Sequence, residues 1–162
     1  MSRELYLEDL AVGQTFHSGR HHVTREEAAA FATQFDPQPF HLDEAAARES
    51  LFGRLVLSGW HTAAATMRLF VGSELKLAGG LIGVGVESMV WPRPAFPGDT
   101  FRLVIEIVSL RPLQSKPDRG IVKLRNRTFN DRDEVVQELV VNVLALRRLP
   151  SAPALDKALR ST

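Results

Sequence analysis

Cysteine is missing from this chain altogether, and that absence removes disulfides, thiolate metal sites and a cysteine nucleophile. It also suits a reducing compartment. An excess of one charge is missing too: 20 Lys and Arg stand against 19 Asp and Glu, and no long run of either sign occurs. A nucleic-acid surface needs a clustered basic face, so a small molecule is the expected partner and nucleic acid is not. No window approaches the length of a membrane span, and the acidic start "MSRELYLEDL" lacks the apolar segment of a signal peptide. These absences predict a cytoplasmic location with no membrane partner. What is present, 162 residues of which 44% are hydrophobic, is enough for one compact domain with a continuous core. That domain is expected over residues 1–150, with 151–162 a weakly held tail.

The period of the apolar residues changes along the chain. Residues 12–23 alternate weakly and predict a first strand. Thr24 opens a helix with a capping box, because Glu27 stands three residues on, and Pro37 stops that helix near Asp36. A short helix is expected over 43–50, with Asp43 as its cap and Gly53 beyond its end. In "LSGWHTAAATMRLFVGSEL" the residues Trp60, Ala63, Ala64, Met67, Phe70 and Val71 recur at helical spacing among mostly small neighbours, which predicts a buried helix. Four strands follow, "LIGVGVESMVW", "TFRLVIEIVSL", "RGIVKLRNRTF" and "EVVQELVVNVLALRR", separated by turn-rich segments. The expected fold class is therefore α+β, a long buried helix wrapped by a curved antiparallel sheet.

Within "FDPQPFHLD", Asp36 and His41 lie five residues apart with prolines at 37 and 39 between them. Residues five apart sit about 140° apart around a helix, and on opposite faces of a strand. Neither regular structure makes them converge. A turned loop does, and the two prolines reduce the shapes a free loop samples, which lowers the entropy lost in fixing both side chains at one point. An aspartate and an imidazole held together can orient a water and move its proton.

The runs "FDPQPFHLD", "SGWHTAA" and "WPRPAFPGDT" together resemble the MaoC-like dehydratases, also called (R)-specific enoyl-CoA hydratases, over roughly residues 5 to 148. The resemblance implies the hot-dog fold, and a cofactor-free lyase that adds water to a trans-2-enoyl-CoA or removes it from an (R)-3-hydroxyacyl-CoA. It places Asp36 and His41 in the catalytic roles, and the Gly59 amide, with Trp60 beside it, as the donor to the thioester oxygen. Gln38 stands where the family has asparagine, and Phe35 where it commonly has glycine. Gln38 and Phe40, between the two candidate catalytic residues, are expected to shape the pocket. The family's further polar residue on the long helix falls by count on Met67, with Thr62 and Thr66 as neighbouring substitutes. Coenzyme A would enter only as part of the substrate, with Arg93, Arg111, Lys116 and Arg119 as candidates for its phosphates. A homodimer joined edge to edge, or an assembly of dimers, is also implied.

Other features take plainer readings. His61 is expected to be packed within its helix. His17, His21 and His22 lack the separated spacing of zinc ligands, and no metal is expected. "GGLIGVG" neither follows a strand nor opens a helix, so it predicts a turn with close backbone packing, not a dinucleotide loop. "PGDT" predicts a turn before a strand. Two further functions stand beside the hydratase: a thioesterase on the same fold, which would place its acid on the long helix, where Glu74 is the only acid, and an acyl-thioester-binding protein without catalysis.

Overall fold

The computed structural model describes residues 3–148, so the expected tail lies outside the described residues. The expected strands and turns are found. β1 (Thr15–His22), β2 (Ile82–Val90), β3 (Thr100–Pro112), β4 (Arg119–Phe129) and β5 (Val135–Leu146) form one antiparallel sheet in the order β1-β3-β4-β5-β2. Strict alternation drives the central strands onto a common core: Phe101, Leu103, Ile105 and Ile107 of β3, with Val122 and Leu124 of β4, turn inward and are almost wholly buried. Each such side chain contributes about 1.5–3 kcal/mol relative to exposure.

The helical half follows its caps. Thr24 and Glu27 close the predicted capping box at 3.1 Å in both directions and start α1 (Arg25–Phe35). Asp36 ends it in a non-helical conformation, as the following proline requires. α2 (Pro39–Leu42) is a single turn with Pro39 at its first position, where no N–H is needed. This corrects the expectation of a turned loop: His41 sits on a helical turn, and only Asp36, Pro37 and Gln38 link that turn to α1. Asp43 then caps α3 (Glu44–Glu49), its carboxylate accepting from Ala46 N–H at 2.7 Å.

α4 (Gly59–Val71) packs against β1, β3 and β5, but with a different face from the one its apolar residues predict. Its buried residues are His61, Thr62, Ala65, Thr66, Leu69 and Phe70, whereas Trp60 is 59% exposed, Met67 46% and Val71 55%. Thr66 goes inward because the sheet offers it partners, whereas His61 Nδ1 is buried without one among the described residues. Thr66 and Thr128 hydroxyls lie 2.6 Å apart, Gln137 donates to Thr66 Oγ1 at 3.0 Å, and the Trp91 indole N–H donates to Gln137 Oε1 at 2.8 Å. This chain ties β4, β5 and the segment after β2 to the middle of α4.

The glycines of "GGLIGVG" also differ from expectation. Gly79 and Gly80 adopt positive φ in the turn before β2, and a Cβ at Gly79 would come 3.1 Å from Leu146, but Gly83 and Gly85 face open space and not close-packed backbone. The register shift between them explains their use: a bulge bends the edge strand.

Two stability outcomes follow. A Cβ at Gly120 would sit 2.8 Å from the Arg111 carbonyl oxygen and 2.6 Å from Leu7, so Gly120→Ala must part β4 from β3. It is expected to lower unfolding free energy by about 1–3 kcal/mol in a urea titration. Gln137→Leu leaves the Trp91 indole without its buried acceptor and takes one of two partners from Thr66; a loss of about 1–3 kcal/mol is expected, together with a changed tryptophan fluorescence.

Candidate active site

A cavity of about 390 Å³ opens between α2, the start of α4 and the segment after β2. Its lining includes Asp36, Gln38, Phe40, His41, Gly59 and Trp60, all of them singled out in the sequence. Trp91, Phe52 and Thr62 join them.

Asp36, at the end of α1, and His41, on the single turn of α2, converge: His41 Nε2 lies 3.1 Å from Asp36 Oδ2. The imidazole is buried, edge-on to the Phe40 ring at 4.5 Å between centroids. Its other nitrogen, Nδ1, donates to the Val56 carbonyl at 2.6 Å. A carbonyl only accepts, so this bond fixes Nδ1 as the protonated nitrogen and leaves Nε2 to face the carboxylate and the cavity. The Nε2–Oδ2 contact is then a hydrogen bond only when one further proton lies between the two groups. Such a pair can hold a proton in transit.

Two more donors reach the same carboxylate. The Ser58 hydroxyl donates to Oδ2 at 2.6 Å and Gln38 Nε2 donates to Oδ1 at 2.7 Å. The Ser58 bond, first, and the Gln38 bond hold the Asp36 carboxyl below the usual aspartate range against partial burial, with the nearby His41 adding to the effect. Asp36 is thus anionic at neutral pH. Ser58 was not among the candidates legible in the sequence. Its only local signal was its place before Gly59, which reads as an ordinary helix start.

Gly59 is the first residue of α4, and its N–H has no partner among the described residues. A Cβ there would meet the Trp91 ring at 2.8 Å, so the absence of a side chain is what lets the indole close over the helix start. Trp91 in turn stands edge-on to Trp60, with ring centroids 5.7 Å apart. An unpaired amide at the positive end of a helix can donate to a developing oxyanion.

The remaining candidates separate. Thr62 lines the cavity, Thr66 is spent on Thr128 and Gln137, and Met67 lies on the outward face of α4. Of the proposed phosphate contacts only Arg93 lines this cavity. Arg119 is paired with Asp118 at 2.7 Å, Arg111 lines a separate hollow with Lys123 and Asn142, and Lys116 lies in the turn between β3 and β4. The structure does not bring those four together. His61 is packed: its ring stacks on Phe31 at 4.7 Å, and burial pushes its pKa down. Among the described residues no three His, Asp or Glu side chains come together as a metal-ligand set. No helix among them is long and apolar enough to cross a membrane.

Comparison with known proteins shows the family. The family model described as a MaoC like domain matches residues 9–126. A MaoC-like dehydratase from Rhodospirillum rubrum is 53% identical, with a TM-score of 0.86 over 90% of this chain and 99% of that one. An (R)-hydratase from A. caviae involved in PHA biosynthesis is 28% identical, with a TM-score of 0.69 over 88% of this chain and 99% of that one. A Mycobacterium tuberculosis protein described as having a double hot-dog fold, 18% identical, superposes with a TM-score of 0.77 over 93% of this chain and 46% of that one, a likeness of fold alone. The sheet wrapped on α4 is the hot-dog fold, and the chain belongs to the family of MaoC-like dehydratases, enzymes of hydration and dehydration.

Proposed function

We propose that the protein is an acyl-CoA hydro-lyase that reversibly hydrates a trans-2-enoyl-CoA to an (R)-3-hydroxyacyl-CoA, with Asp36 and His41 acting on the water. The observation that carries this reading is the convergence of an anionic carboxylate and a tautomer-fixed imidazole at one wall of the cavity, with an unpaired amide at the start of α4 on the same cavity.

Each group has a step to perform. The water lies against Asp36 and His41, which take its proton as its oxygen forms a bond to C3 of the enoyl group. The C3 π electrons move through C2 onto the thioester oxygen, where Gly59 N–H receives the developing charge. Return of a proton from the pair to C2 on the same face completes a syn addition and restores the thioester. One O–H bond and one π bond are lost; one C–O and one C–H bond are gained. A donor aimed at the oxyanion is worth about 2.7–4 kcal/mol of barrier in comparable sites. Coenzyme A is carried only as part of the substrate, and no other cofactor has a step. Gln38 and Phe40 shape the cavity beside the reacting carbons, and Arg93 is the cation positioned to meet the coenzyme. A place in fatty acid metabolism and a cytoplasmic location belong to the same reading.

Hydrolysis fits less well. A thioesterase of this fold would set its acid on the long helix, but α4 ends at Val71 and Glu74 lies beyond it, its carboxylate accepting from His17 N–H at 2.9 Å.

Among the described residues the edge strand β2 pairs only with β5 and exposes Ile82, Val84, Val86 and Val90, while α4 exposes Trp60, Met67 and Val71. An unpaired apolar edge is a template for another strand. A second copy joined at β2 would cover it and bring its own surface to the cavity mouth, giving the homodimer.

On a panel of 2-enoyl-CoAs, Asp36→Asn and His41→Ala are each expected to lower turnover by about a hundredfold to ten-thousandfold while remaining folded, the range for losing general acid or base catalysis. Loss of conjugation should occur without release of free thiol. A folded variant with normal turnover removes that residue from the mechanism, and thiol release from the wild type would make the protein a thioesterase. Val86→Lys is expected to yield monomers in sedimentation analysis; an unchanged mass would place the dimer seam elsewhere.

A further inference from the structure

Ser58 stands immediately before α4, where a serine ordinarily turns its hydroxyl back to accept an N–H of the first helical turn. Here it does not. The side chain makes no capping hydrogen bond; its Oγ donates instead to Asp36 Oδ2 at 2.6 Å, 22 residues earlier in the chain. Ser58 is 2% exposed, so its hydroxyl has almost no access to solvent.

The contact divides the Asp36 carboxylate into two unlike oxygens. A carboxylate oxygen offers about two acceptor positions. Oδ2 takes Ser58 and turns its second position to His41 Nε2 at 3.1 Å, which leaves no room there for a water. Among the described residues Oδ1 takes only Gln38 Nε2 at 2.7 Å, from an exposed side chain, which leaves it a second acceptor position. The chain from Val56 to Ser58 therefore sets both members of the pair: the Val56 carbonyl fixes the tautomer of His41 and the Ser58 hydroxyl fixes the rotation of Asp36. This strap is itself anchored, since Leu57 N–H donates to the Ala95 carbonyl at 2.8 Å.

We propose that Ser58 is a positioning residue for Asp36, occupying Oδ2 so that Oδ1 is the oxygen that receives the proton of the attacking water. The inference rests on the hydratase reading of Asp36. Ser58 donates to the ionised carboxylate and so favours that form. A serine that merely began a helix would affect stability and leave the titration of Asp36 alone.

Two readouts on the full chain separate these roles. The first is a carbon-13 carboxyl NMR titration of wild type and Ser58→Ala, with Asp36→Asn assigning the resonance; it needs no turnover. The Asp36 midpoint is expected to rise by about one pH unit, the scale for removing one of its few donors, and Ser58→Thr is expected to restore it. An unmoved midpoint overturns the inference, whatever the activity. The second is the acid limb of kcat/KM on a 2-enoyl-CoA, which is expected to follow the NMR shift to higher pH in Ser58→Ala. A carboxyl that moves while the limb stays would overturn Asp36 as the base, and with it the catalytic meaning of the contact. Should Ser58→Ala not fold, Ser58→Cys, of similar shape and a far weaker donor, serves in its place.

Discussion

A carboxylate kept charged against the wall of a largely apolar cavity must be given donors, and the arrangement around Asp36 follows from that requirement. Ser58 and Gln38 supply hydrogen bonds and His41 faces one oxygen. Each of these groups is held in place by something else: Gln38 by the prolines on either side of it, His41 by the single turn of α2 and its bond to Val56, Ser58 by the start of α4. Desolvation alone would raise the pKa of such a group and neutralise it. The donors reverse that direction and keep Asp36 ionised.

The second constraint is the polar underside of α4. Thr66, Thr128 and Gln137 form a buried chain that reaches the Trp91 indole, and Trp91 closes against Gly59. Buried polar groups hold a unique arrangement when they are satisfied and cost free energy when they are not. This chain therefore couples the sheet to the start of α4 beside the cavity, and the same helix turns Trp60, Met67 and Val71 outward.

Local physics made most of the architecture legible. The Thr24 and Glu27 box, the stop before Pro37, the Asp43 cap and the alternation of β3 and β4 are all short-range signals, and each appears where the sequence puts it. The pairing of Asp36 with His41 was legible from a motif five residues apart, whereas the helical turn carrying His41 was not, because a four-residue helix leaves too short a period to read. The buried face of α4 was misread for a different reason. Thr66 faces inward because of the polar chain to Thr128 and Gln137, residues far away in sequence, while Trp60, Met67 and Val71 keep the helical spacing of a core stripe on the outward face. Ser58 was hidden likewise: a serine before a helix looks the same whether its hydroxyl caps the helix or crosses the fold to a carboxylate.

The central claim is that one face of an enoyl thioester meets the Asp36 and His41 pair and receives both parts of water. The most direct test is the stereochemistry of the product: wild-type protein is incubated with crotonyl-CoA in deuterium oxide, and the 3-hydroxybutyryl-CoA is resolved by chirality at C3 and by deuterium position at C2. The (R) alcohol with deuterium added from the same face is the predicted result, and an (S) alcohol or addition from opposite faces would contradict it.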